Sequence, residues 1–471
     1  MEPNRTAIVM DTASLHNLAD AVPPYALKCI DALESAGHEA WLVGGFVRDS
    51  LLHRPVSDVD IATSACWQDV KSACEEQGFA VHETGTKHGT VSVIIDYHVI
   101  EVTTYRIDGS YYDHRHPDGV TQAETIVEDL GRRDFTINAL AFHPRRGLVD
   151  PFGGTHDLKN HIIRAVGDPL LRLSEDALRI MRALRFASQL GFDLSPETKA
   201  AVFERKQDLD LVAGERLSTE LEKFLCGSHV RETLMTYVDV LAVILPELSV
   251  MKGLDQRTRY HCYDVLEHTA YVIEYVPQSN ILGRWAALFH DMGKPETFFV
   301  DEAGVGHMYG HEAASVGHLS KAAYRLRFPA KMTHNLKLLV RHHDFRPTVS
   351  RKNVRKLYAM LEFKDELFPV MCDLMRADAL AHAPEYHART KSIDELEALF
   401  IHMKQTREAL CVSDLAIDGN VLLELGLTPG PMVGDILEDL FMAVAEEKIA
   451  NEPHALRSYA ALLIASTNRH V

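Results

Sequence analysis

The spacing of apolar residues divides the chain into a short segment of mixed patterns and a long helical remainder. Near the start, "ALKCIDALESAGHEA" has apolar residues at helical intervals, which predicts an amphipathic helix. Four short apolar or alternating runs have the length and composition of strands: "WLVGG", "DVDIAT", "TVSVIID" and "HVIEVTTYR". This mixture predicts a small α/β head at the beginning of the chain.

After residue 171 the pattern becomes almost wholly helical. "SEDALRIMRALRFASQLGF" is the clearest helix, and we expect Ser174 to be its N-cap residue, because Glu175 and Asp176 then lie in a favourable first turn. Histidines are concentrated in the helices that follow, and a last helical segment begins near residue 405. The predicted fold class is therefore α+β, with a small N-terminal α/β head followed by a long all-α body.

Composition and charge narrow the class of protein. The chain has 471 residues, of which 46% are hydrophobic and 25% are charged, as in a soluble globular protein of several domains. We find no signal-peptide pattern and no apolar run of the ~18 residues that a membrane-spanning helix needs. The seven cysteines contain no CxxC pair, which favours reduced thiols and a cytoplasmic location. The net charge of −18 argues against binding nucleic acid through overall charge, so any such contact needs a local basic surface.

The segment "SDVDIAT" contains two aspartates one residue apart, Asp58 and Asp60. Residues two apart in a strand point to the same face, so these carboxylates are predicted to project together. Glu101, in a second predicted strand, reaches the same point if the two strands are neighbours. Carboxylate oxygens are the ligands that Mg²⁺ prefers, and two such ions would activate an attacking hydroxyl and stabilise a leaving pyrophosphate. We therefore predict a magnesium site for phosphoryl transfer, with these three residues as its catalytic carboxylates.

A glycine pair precedes the aspartates in "VGGFVRD". Gly44 and Gly45 would let backbone N–H groups approach a triphosphate closely, and Arg48 would add positive charge. Each motif alone has a simpler explanation, since Gly-Gly pairs are common turns and DxD is common at strand ends. Asp49 has two interpretations, because it could instead cap a helix begun by "SLLHR". The order and spacing of the two motifs together favour a single nucleotide site.

These motifs resemble those of the class II tRNA nucleotidyltransferases, also called CCA-adding enzymes, whose superfamily includes bacterial poly(A) polymerases. The resemblance extends over about residues 40–195, through "VGGFVRDSLL", "SDVDIAT", "EVTTYRIDGSYYDHRHPDGV", "EDLGRRDFTINALAF", "DPFGGTHDLKNHIIRAVGDP" and "SEDALRIMRALRFASQLGF". Together with the helical pattern, it implies four domains: a nucleotidyltransferase head (25–150), a helical neck (151–230), a helical body (231–395) and a C-terminal helical tail (396–471).

The resemblance also implies roles for individual residues. Four recur at intervals of three along one predicted helix: Asp176, Arg179, Arg182 and Arg185. Such charged rows are usually solvent-exposed. In the family, however, the residues that match Asp176 and Arg179 read the base edge of the incoming nucleotide and so act as an amino-acid template. Arg182 and Arg185 would contact phosphates or support these two residues. A carboxylate that accepts a hydrogen bond from an exocyclic amine would recognise both cytosine and adenine. Three further residues are implied to hold the ribose and phosphates: Arg133, Asp134 and Asn138.

In the body, histidines and aspartates occur in an order that resembles the HD superfamily of metal-dependent phosphohydrolases. The segments are "YDVLEHTAYV", "ALFHDMGKP", "YGHEAAS", "LVRHHDFRP" and "LMRADALAH". The resemblance implies a second divalent-metal site with four ligands: His268, His290, Asp291 and Asp378. Either this site hydrolyses phosphate esters, such as 2′,3′-cyclic phosphate ends of RNA, or the fold serves as a scaffold for tRNA. We expect His261 and His382 to be ordinary helix residues.

Together these features predict a tRNA nucleotidyltransferase that uses CTP, ATP and Mg²⁺, with an appended HD domain. A poly(A) polymerase of the same superfamily and an enzyme that adds only the terminal A are the alternatives. The loop "DGSYYDHRHPD" matches that of family members that add the terminal A, which disfavours a CC-only enzyme. A hypothesis of a different class makes HD hydrolysis the main activity and the head a nucleotide sensor. The sequence leaves the oligomeric state open.

Overall fold

The structure is a computed structural model that describes residues 18–56, 58–86, 89–108, 120–446 and 448–467. The chain forms two compact units. One comprises Met1–His229 with Asp239–Ile244, and the other comprises Val230–Val238 with Leu245–Val471. The loop on which the prediction of terminal-A addition rests lies, apart from Asp108, outside the described residues.

The first unit contains a mixed seven-stranded sheet. Its strands are β1 Ala40–Val43, β2 Asp60–Thr63, β3 Ala80–Gly85, β4 Thr90–Ile95, β5 His98–Thr104, β8 Ala141–His143 and β9 Gly147–Val149. Shorter pairs are formed by β6 Arg106–Asp108 with β7 Val120–Gln122, and by β10 Ile162–Ile163 with β11 Asp193–Leu194. The strand order of the large sheet is β3-β4-β5-β2-β1-β8-β9, and β2 and β5 are parallel. The four segments predicted as strands are β1, β2, β4 and β5, so that prediction is confirmed.

Nine helices accompany this sheet between residues 24 and 225 in the described part of the first unit. They are α1 Pro24–Ser35, α2 Gly45–Leu51, α3 Trp67–Glu76, α4 Ile126–Gly131, α5 Gly154–Lys159, α6 Pro169–Glu175, α7 Leu178–Leu190, α8 Pro196–Arg205 and α9 Gly214–Leu225. Helix α1 confirms the amphipathic helix predicted near the start. Short 3₁₀ turns lie at Thr136–Asn138 and Lys206–Leu211.

A hydrophobic cluster connects the central strands to the residues that follow them. Trp41 and Val43 of β1 pack with Tyr105, which follows β5, and with Leu130 of α4. All four are buried. Removing this apolar surface from water stabilises the sheet at about 25 cal/mol per Å² buried. The cluster therefore holds β1 and β5 in place on either side of β2, the strand that carries the predicted metal ligand.

The helix predicted from "SEDALRIMRALRFASQLGF" is in fact two helices, α6 and α7. Between them Asp176 is extended, with φ −141° and ψ 104°. The carboxylate of Asp168 caps α6, and Pro169 occupies its first position, where a missing N–H costs nothing. The hydroxyl of Ser174 donates instead to the carbonyl oxygen of Leu171. The prediction that Ser174 is an N-cap was therefore wrong, because a stronger start signal lies upstream.

The second unit is almost entirely helical. Helix α10, Val230–Ile244, is kinked at Tyr237 and contributes residues to both units. The others are α11 Glu247–Met251, α12 Val265–Tyr275, α13 Ile281–Phe289, α14 Lys294–Thr297, α15 His311–Arg325, α16 Ala330–His342, α17 Arg351–Met360, α18 Leu367–Leu380, α19 Arg389–Gln405, α20 Gly419–Glu424, α21 Pro431–Ala445 and α22 Pro453–Thr467. A hairpin pairs β12 Phe299–Val300 with β13 Gly306–His307, and 3₁₀ turns lie at Pro384–Tyr386 and Val412–Asp414.

Helix α13 is the centre of the second unit's packing. It contacts α12, α15, α16 and α18, and its residues from Gly283 to Phe289 are buried. The last three helices bury a separate cluster that includes Leu422, Leu440 and Leu456. In the part of the chain that the structure describes, no helix has the length and apolar character required to cross a membrane.

Candidate functional site

Three carboxylates meet where β2 begins alongside β5. The parallel pairing places Asp60 opposite Glu101, as expected for neighbouring strands. Asp58 precedes β2, so the prediction that both aspartates lie in one strand was wrong, although both line the same cavity. Burial raises the pKa of Asp60 to about 6, and the charges of Glu101 and Asp58 act in the same direction. A cation bound among these carboxylates would relieve their mutual repulsion.

Gly44 brings the backbone close to these carboxylates. Its φ of +66° and ψ of −128° are values that residues with side chains rarely adopt. A Cβ atom at this position would lie 3.0 Å from Arg133 Nη1 and 3.9 Å from Asp60 Oδ2. Gly45 begins α2, and Asp49 lies inside that helix, so Asp49 is not the cap of a later helix. The backbone conformation therefore favours glycine at position 44, and a side chain there would also have to displace the guanidinium of Arg133 slightly.

A continuous hydrogen-bond network joins four of the predicted nucleotide-binding residues. Arg48 Nη1 donates to Asn138 Oδ1 at 2.7 Å, and Asn138 Nδ2 donates to Asp134 Oδ1 at 3.0 Å. Arg182 Nε donates to Asp134 Oδ2 at 2.7 Å. Burial alone would raise the pKa of Asp134, but Arg182 and these hydrogen bonds hold it well below its usual range. Protein donors thus engage both carboxylate oxygens of Asp134, and this residue orients Arg182.

Three arginines surround the ring of Phe186. The guanidinium carbons of Arg48, Arg182 and Arg185 lie 5.0, 5.5 and 4.1 Å from the ring centroid. Arg185 is buried, and its Nη1 lies 3.0 Å from Glu220 Oε2. Burial lowers the pKa of Arg185 to about 10, while Glu220 acts in the opposite direction. The aromatic face and Glu220 therefore hold these cations together against their mutual repulsion.

The two residues predicted to read the base have different partners. Asp176 Oδ2 accepts from Arg216 Nη2 at 2.8 Å. Arg179 donates to Glu175 and, at 3.1 Å, to the carbonyl oxygen of Arg132. Both base-reading candidates line the cavity that contains the carboxylates. The sequence prediction missed Arg216, because "GERLSTELEKFL" indicates only an amphipathic helix.

The predicted residues of the head line one cavity of about 1040 Å³, which is large enough for a nucleoside triphosphate. Among the described residues, its lining contains nine arginines and one lysine against six carboxylates. A chain with a net charge of −18 therefore has a locally positive cavity. This charge suits a polyphosphate, and the three carboxylates at one wall suit the metal ion that accompanies it.

The second unit brings six side chains into a buried cluster, which we call the HD cluster. They form two groups of three whose ligand atoms lie within 4.8 Å of one another: His268, His290 and Asp378, and then Asp291, His311 and His343. The residues come from α12, α15 and α18 and from the turns that follow α13 and α16. The four predicted ligands are thus together. The structure adds His311 and His343. Their segments were among the motifs that resemble the HD superfamily, but neither residue was among the four predicted ligands.

The hydrogen bonds of the HD-cluster histidines suit a metal ion. The Nδ1 atoms of His290, His311 and His343 lie 2.7, 2.9 and 2.7 Å from backbone carbonyl oxygens. A carbonyl can only accept, so each Nδ1 carries a proton, and a neutral ring then presents the lone pair of Nε2. His290 Nε2 is buried and lies 3.1 Å from Asp291 Oδ2, another potential ligand atom of the cluster. Metal-binding histidines typically make this bond through their other nitrogen, so the cluster fits a divalent ion.

Four family models match the chain. "Poly A polymerase head domain" matches residues 40–164, and "Probable RNA and SrmB- binding site of polymerase A" matches residues 191–251. "HD domain" matches residues 258–383, and the model for tRNA nucleotidyltransferase domain 2 matches residues 353–460. The head-domain match contains the three carboxylates, and the HD-domain match contains the whole HD cluster.

Several curated proteins and solved structures are similar to this chain. The CCA-adding enzyme of Anoxybacillus flavithermus is 34% identical over 437 residues, which cover 92% of this chain and 96% of the relative. The chain belongs to the CCA-adding enzyme family. The CCA-adding enzyme of Lactobacillus helveticus is 46% identical over 232 residues, covering 49% of this chain and 57% of the relative. A crystal structure of the Bacillus stearothermophilus CCA-adding enzyme in complex with CTP has a TM-score of 0.69 and 27% identity, covering 96% of this chain and 100% of that one.

Members of the CCA-adding enzyme family are tRNA nucleotidyltransferases, and enzymes of this superfamily use divalent metal ions. The family recognised from the sequence motifs and the α+β fold class are both confirmed. In this family member, Lys294 of "HDMGKP" is buried beside the HD cluster. Its Nζ lies 2.6 Å from Asp291 Oδ2 and 2.8 Å from Gln256 Oε1. Burial would raise the pKa of Asp291, but His290 and Lys294 hold it well below its usual range, so this carboxylate stays ionised.

Two histidines expected to be ordinary helix residues lie next to the HD cluster instead. His261 lies in the turn before α12, and His382 follows the end of α18, so the expectation was wrong. The ring centroid of His261 is 5.0 Å from that of His268 and 4.4 Å from that of His382. His342, in contrast, is half-buried and is not among the six clustered residues.

Replacing Asp134 by Ala is expected to lower the free energy of unfolding by about 3 kcal/mol at pH 7, because Arg182 then loses its buried counter-charge. Because the pKa of Asp134 is depressed, its contribution to stability is present above the ordinary aspartate pKa of about 3.9 and is lost as the pH falls further. The difference from wild type should therefore shrink at acid pH. Urea unfolding at several pH values measures it.

The matched control for this stability prediction is Asp193→Ala, at the exposed first residue of strand β11. It should change the free energy of unfolding by less than about 0.5 kcal/mol. A loss for Asp134→Ala that is no larger than the loss for this control would contradict the assigned ion pair.

Proposed function

We propose that this chain adds CMP and AMP, from CTP and ATP, to the 3′ end of tRNA and thereby completes a CCA terminus. One observation carries the proposal: the carboxylates of Asp58, Asp60 and Glu101 lie on the wall of an arginine-lined cavity. The same cavity contains Asp176 and Arg179, which can recognise a base edge. The 34% identity to a CCA-adding enzyme over 92% of this chain supports tRNA as the acceptor.

In the proposed reaction the 3′ hydroxyl of the RNA attacks the α-phosphorus of the nucleotide, and pyrophosphate leaves. Mg²⁺ held by Asp58 and Asp60 would supply positive charge at the α-phosphate and at the leaving pyrophosphate. Glu101, opposite Asp60 in the sheet, completes the carboxylate set. Gly44 leaves room for a phosphate beside Arg133, and the arginines of the cavity neutralise the triphosphate. Most of the rate enhancement then comes from positioning and charge.

We assign the choice of base to Asp176 and Arg179. Cytosine and adenine carry an exocyclic amine that can donate a hydrogen bond to a carboxylate. Uracil and guanine have a carbonyl oxygen at the corresponding position, which a carboxylate repels. A guanidinium donates to the ring acceptors of both accepted bases. Arg216 holds the carboxylate of Asp176 at 2.8 Å, so it acts as a positioning residue for this recognition.

The experiment that tests the proposed function is 3′-end sequencing of tRNA transcripts incubated with the purified chain, Mg²⁺, CTP and ATP. Transcripts that lack CCA, end in C or end in CC should all be completed to a single CCA end that is not extended further. Extension of only the CC-ended transcript would identify an enzyme that adds the terminal A alone. Long A tails on unrelated RNA would identify a poly(A) polymerase and reject the proposal.

Replacing Arg216 by Ala is expected to lower kcat/KM for CTP about tenfold and to raise misincorporation of UMP, because the carboxylate of Asp176 loses the partner that orients it. Arg205→Ala is the matched control, since Arg205 is similarly half-buried and pairs with Asp208 at 2.9 Å in the same unit. Single-nucleotide extension with CTP or UTP measures the selectivity. An unchanged ratio of the two rates, at unchanged thermal stability, would contradict the positioning role.

We propose a second activity for the HD cluster, the hydrolysis of phosphate esters at RNA ends. A divalent ion bound there would supply a water molecule activated at neutral pH. The observation that favours it is the set of imidazoles whose Nδ1 atoms face carbonyl oxygens, together with the ionised carboxylates of Asp291 and Asp378. Incubating the full chain with Mn²⁺ or Ni²⁺ and RNA ending in a 2′,3′-cyclic phosphate tests it. If no divalent metal supports opening of the cyclic phosphate to a terminal phosphomonoester, the domain is left as a scaffold for tRNA.

We also propose that the protein works in the cytoplasm. All seven of its cysteines are free thiols, which is typical of a reducing compartment. Cell fractionation of a tagged full-length chain tests this location, and recovery in an oxidising compartment would contradict it.

A further inference from the structure

Two cations of the head cavity have no individual role in the functions proposed above. The lining contains nine arginines and one lysine, and seven of these cations pair with carboxylates: Arg48, Arg132, Arg133, Arg179, Arg182, Arg185 and Arg216. Arg54 and Lys223 also line the cavity, and neither forms an ion pair with a carboxylate that the structure describes. Both residues are exposed. Their positive charges are therefore available to an anion that enters the cavity from solvent.

Gln189, near the end of α7, connects these two cations. Arg54 Nη1 donates to the carbonyl oxygen of Gln189 at 3.3 Å, and Gln189 Nε2 donates to the carbonyl oxygen of Lys223 at 3.3 Å. Gln189 and Lys223 lie in the last turns of α7 and α9, where a positive charge is favourable. The bond to Gln189 uses one of the five side-chain N–H donors of Arg54. The guanidinium therefore keeps donors with which to bind an anion.

The two cations lie at the opposite end of α7 from the residues assigned to base recognition. Arg179 and Gln189 are ten residues apart in this helix, which corresponds to about 15 Å along its axis. Arg54 precedes Asp58 by four residues, and a chain of that length spans at most about 14 Å. The cavity therefore continues past the base-reading end to a pair of exposed cations that remain close to the carboxylates.

The proposed reaction brings RNA into this same cavity. The 3′ hydroxyl has to reach the α-phosphorus beside Asp58 and Asp60, so the last nucleotides of the acceptor strand enter with it. Each nucleotide carries a phosphodiester charge, which arginine and lysine side chains bind. The triphosphate has other donors, because Arg133 lies beside Gly44 and Arg48 belongs to the hydrogen-bond network described above. The exposed, unpaired cations match the backbone of a strand that arrives from solvent.

We propose that Arg54 and Lys223 bind the last phosphodiester groups of the RNA acceptor strand, next to the 3′ hydroxyl that is extended. The proposal rests on the nucleotide addition proposed above and names residues that hold its RNA substrate. Contacts to phosphate carry no sequence information, so the same two side chains serve acceptors that end in different bases. This suits an acceptor whose terminal base changes after each addition. Neither residue makes or breaks a bond.

The first test is equilibrium binding of a fluorescent tRNA lacking CCA to the full chain, measured by anisotropy without nucleotide at several KCl concentrations. The double variant Arg54→Ala with Lys223→Ala should bind this tRNA at least about tenfold more weakly than wild type. The slope of log Kd against log salt should fall by about 1.4, since each single-stranded phosphate contact contributes about 0.7. The KM for CTP, measured at saturating tRNA, should change less than about twofold.

Two further double variants separate phosphate binding from a general effect of charge or folding. Arg145→Ala with Lys159→Ala removes the same charge at exposed positions of the same unit outside the cavity lining, and it should keep wild-type affinity and salt slope. Arg54→Lys with Lys223→Arg keeps both charges and should restore the slope, which a purely structural role for the bond to Gln189 would not predict.

The second test removes charge from the RNA instead of the protein. Neutral methylphosphonates replace the last two phosphodiester groups of the same tRNA. Wild type should bind this RNA at least about tenfold more weakly than the unmodified RNA, and the Arg54→Ala with Lys223→Ala variant should bind the two RNAs equally. Methylphosphonates in the anticodon loop are the control and should affect both proteins alike. Wild type that binds the 3′-modified RNA as tightly as the unmodified RNA would overturn the proposal.

The outcomes also distinguish this proposal from the one on which it rests. Unchanged tRNA affinity in the alanine double variant overturns the assignment of Arg54 and Lys223, even if the wild-type chain completes CCA ends. A raised KM for CTP with unchanged tRNA affinity assigns the two cations to the triphosphate and also overturns it. Binding that depends on both the cations and the terminal phosphodiesters, in a chain that adds no nucleotide, supports the RNA site and rejects the proposed addition.

Discussion

Asp60→Asn is expected to reduce nucleotide addition to tRNA by at least about 10³-fold, which corresponds to about 4 kcal/mol in the activation barrier. Asparagine keeps the size of the side chain but removes the negative charge that the metal ion needs. Asp60 is paired in register with Glu101 and lies near Arg133, so no other carboxylate takes its position without moving the sheet. Single-turnover extension of a CC-ended tRNA with ATP, and of a tRNA lacking CCA with CTP, measures the effect.

Asp193→Asn is the matched control for this variant, because it makes the same change at an exposed strand position of the same unit. It should extend both tRNAs at the wild-type rate. Burial and neighbouring carboxylates raise the pKa of Asp60 to about 6. Without metal, the ionised side chain therefore destabilises the folded state at pH 7. The melting temperature of Asp60→Asn in EDTA should therefore equal or exceed that of wild type. Wild-type rates in Asp60→Asn would reject the catalytic assignment, and a strongly lowered melting temperature would point to misfolding instead.

Asp291→Asn is expected to remove bound metal from the second unit and to reduce hydrolysis of phosphorylated RNA ends by at least about 10³-fold, while nucleotide addition changes less than twofold. The carboxylate lies within 4.8 Å of the ligand atoms of His311 and His343 and 2.6 Å from Lys294 Nζ. Its replacement removes one ligand and leaves the charge of Lys294 without its nearest counter-charge. Metal content per chain and release of the terminal phosphate are the two measurements.

Loss of that counter-charge could also lower stability, so Asp378→Asn serves as a second variant that leaves Lys294 and its partner intact. Asp394→Asn, at an exposed aspartate paired with Arg376, is the control. Both HD-cluster variants should lose metal and hydrolysis, and the control should lose neither. Hydrolysis that persists in both variants would reject the HD cluster as its site. Loss of nucleotide addition in a variant with a normal melting temperature would reject the independence of the two activities.

Residue patterns within short segments were sufficient to predict much of this protein. Periods of two and of 3.6 residues predicted the strands β1, β2, β4 and β5 and the helical remainder, because these periods reflect which face of an element is buried. Strand patterns and carboxylate chemistry indicated Asp60 and Glu101 as one site if their strands were neighbours, which they are. Motif order led to the family, and to four of the six HD-cluster residues. Each of these predictions depends on residue type at a fixed spacing, which a sequence shows directly.

Partners that are distant in sequence were decided only by the tertiary structure. Arg216 contacts Asp176 across 40 residues of chain, and Arg182 contacts Asp134 across 48. The break between α6 and α7 was not predicted either, because side-chain partners outside the helix compete with helix propensity. His311 and His343 meet Asp291 only once α13, α15 and α16 pack together.

The sequence by itself determined which chemical groups this protein has and on which kind of element each lies, because propensity, periodicity and motif spacing act over a few residues. The tertiary structure alone decided which groups meet. It joined Asp134 to Arg182 and directed the histidine Nδ1 atoms toward carbonyl oxygens. These juxtapositions result from the packing of whole helices, whose free energy sums over many weak contacts and leaves no signature in any short segment.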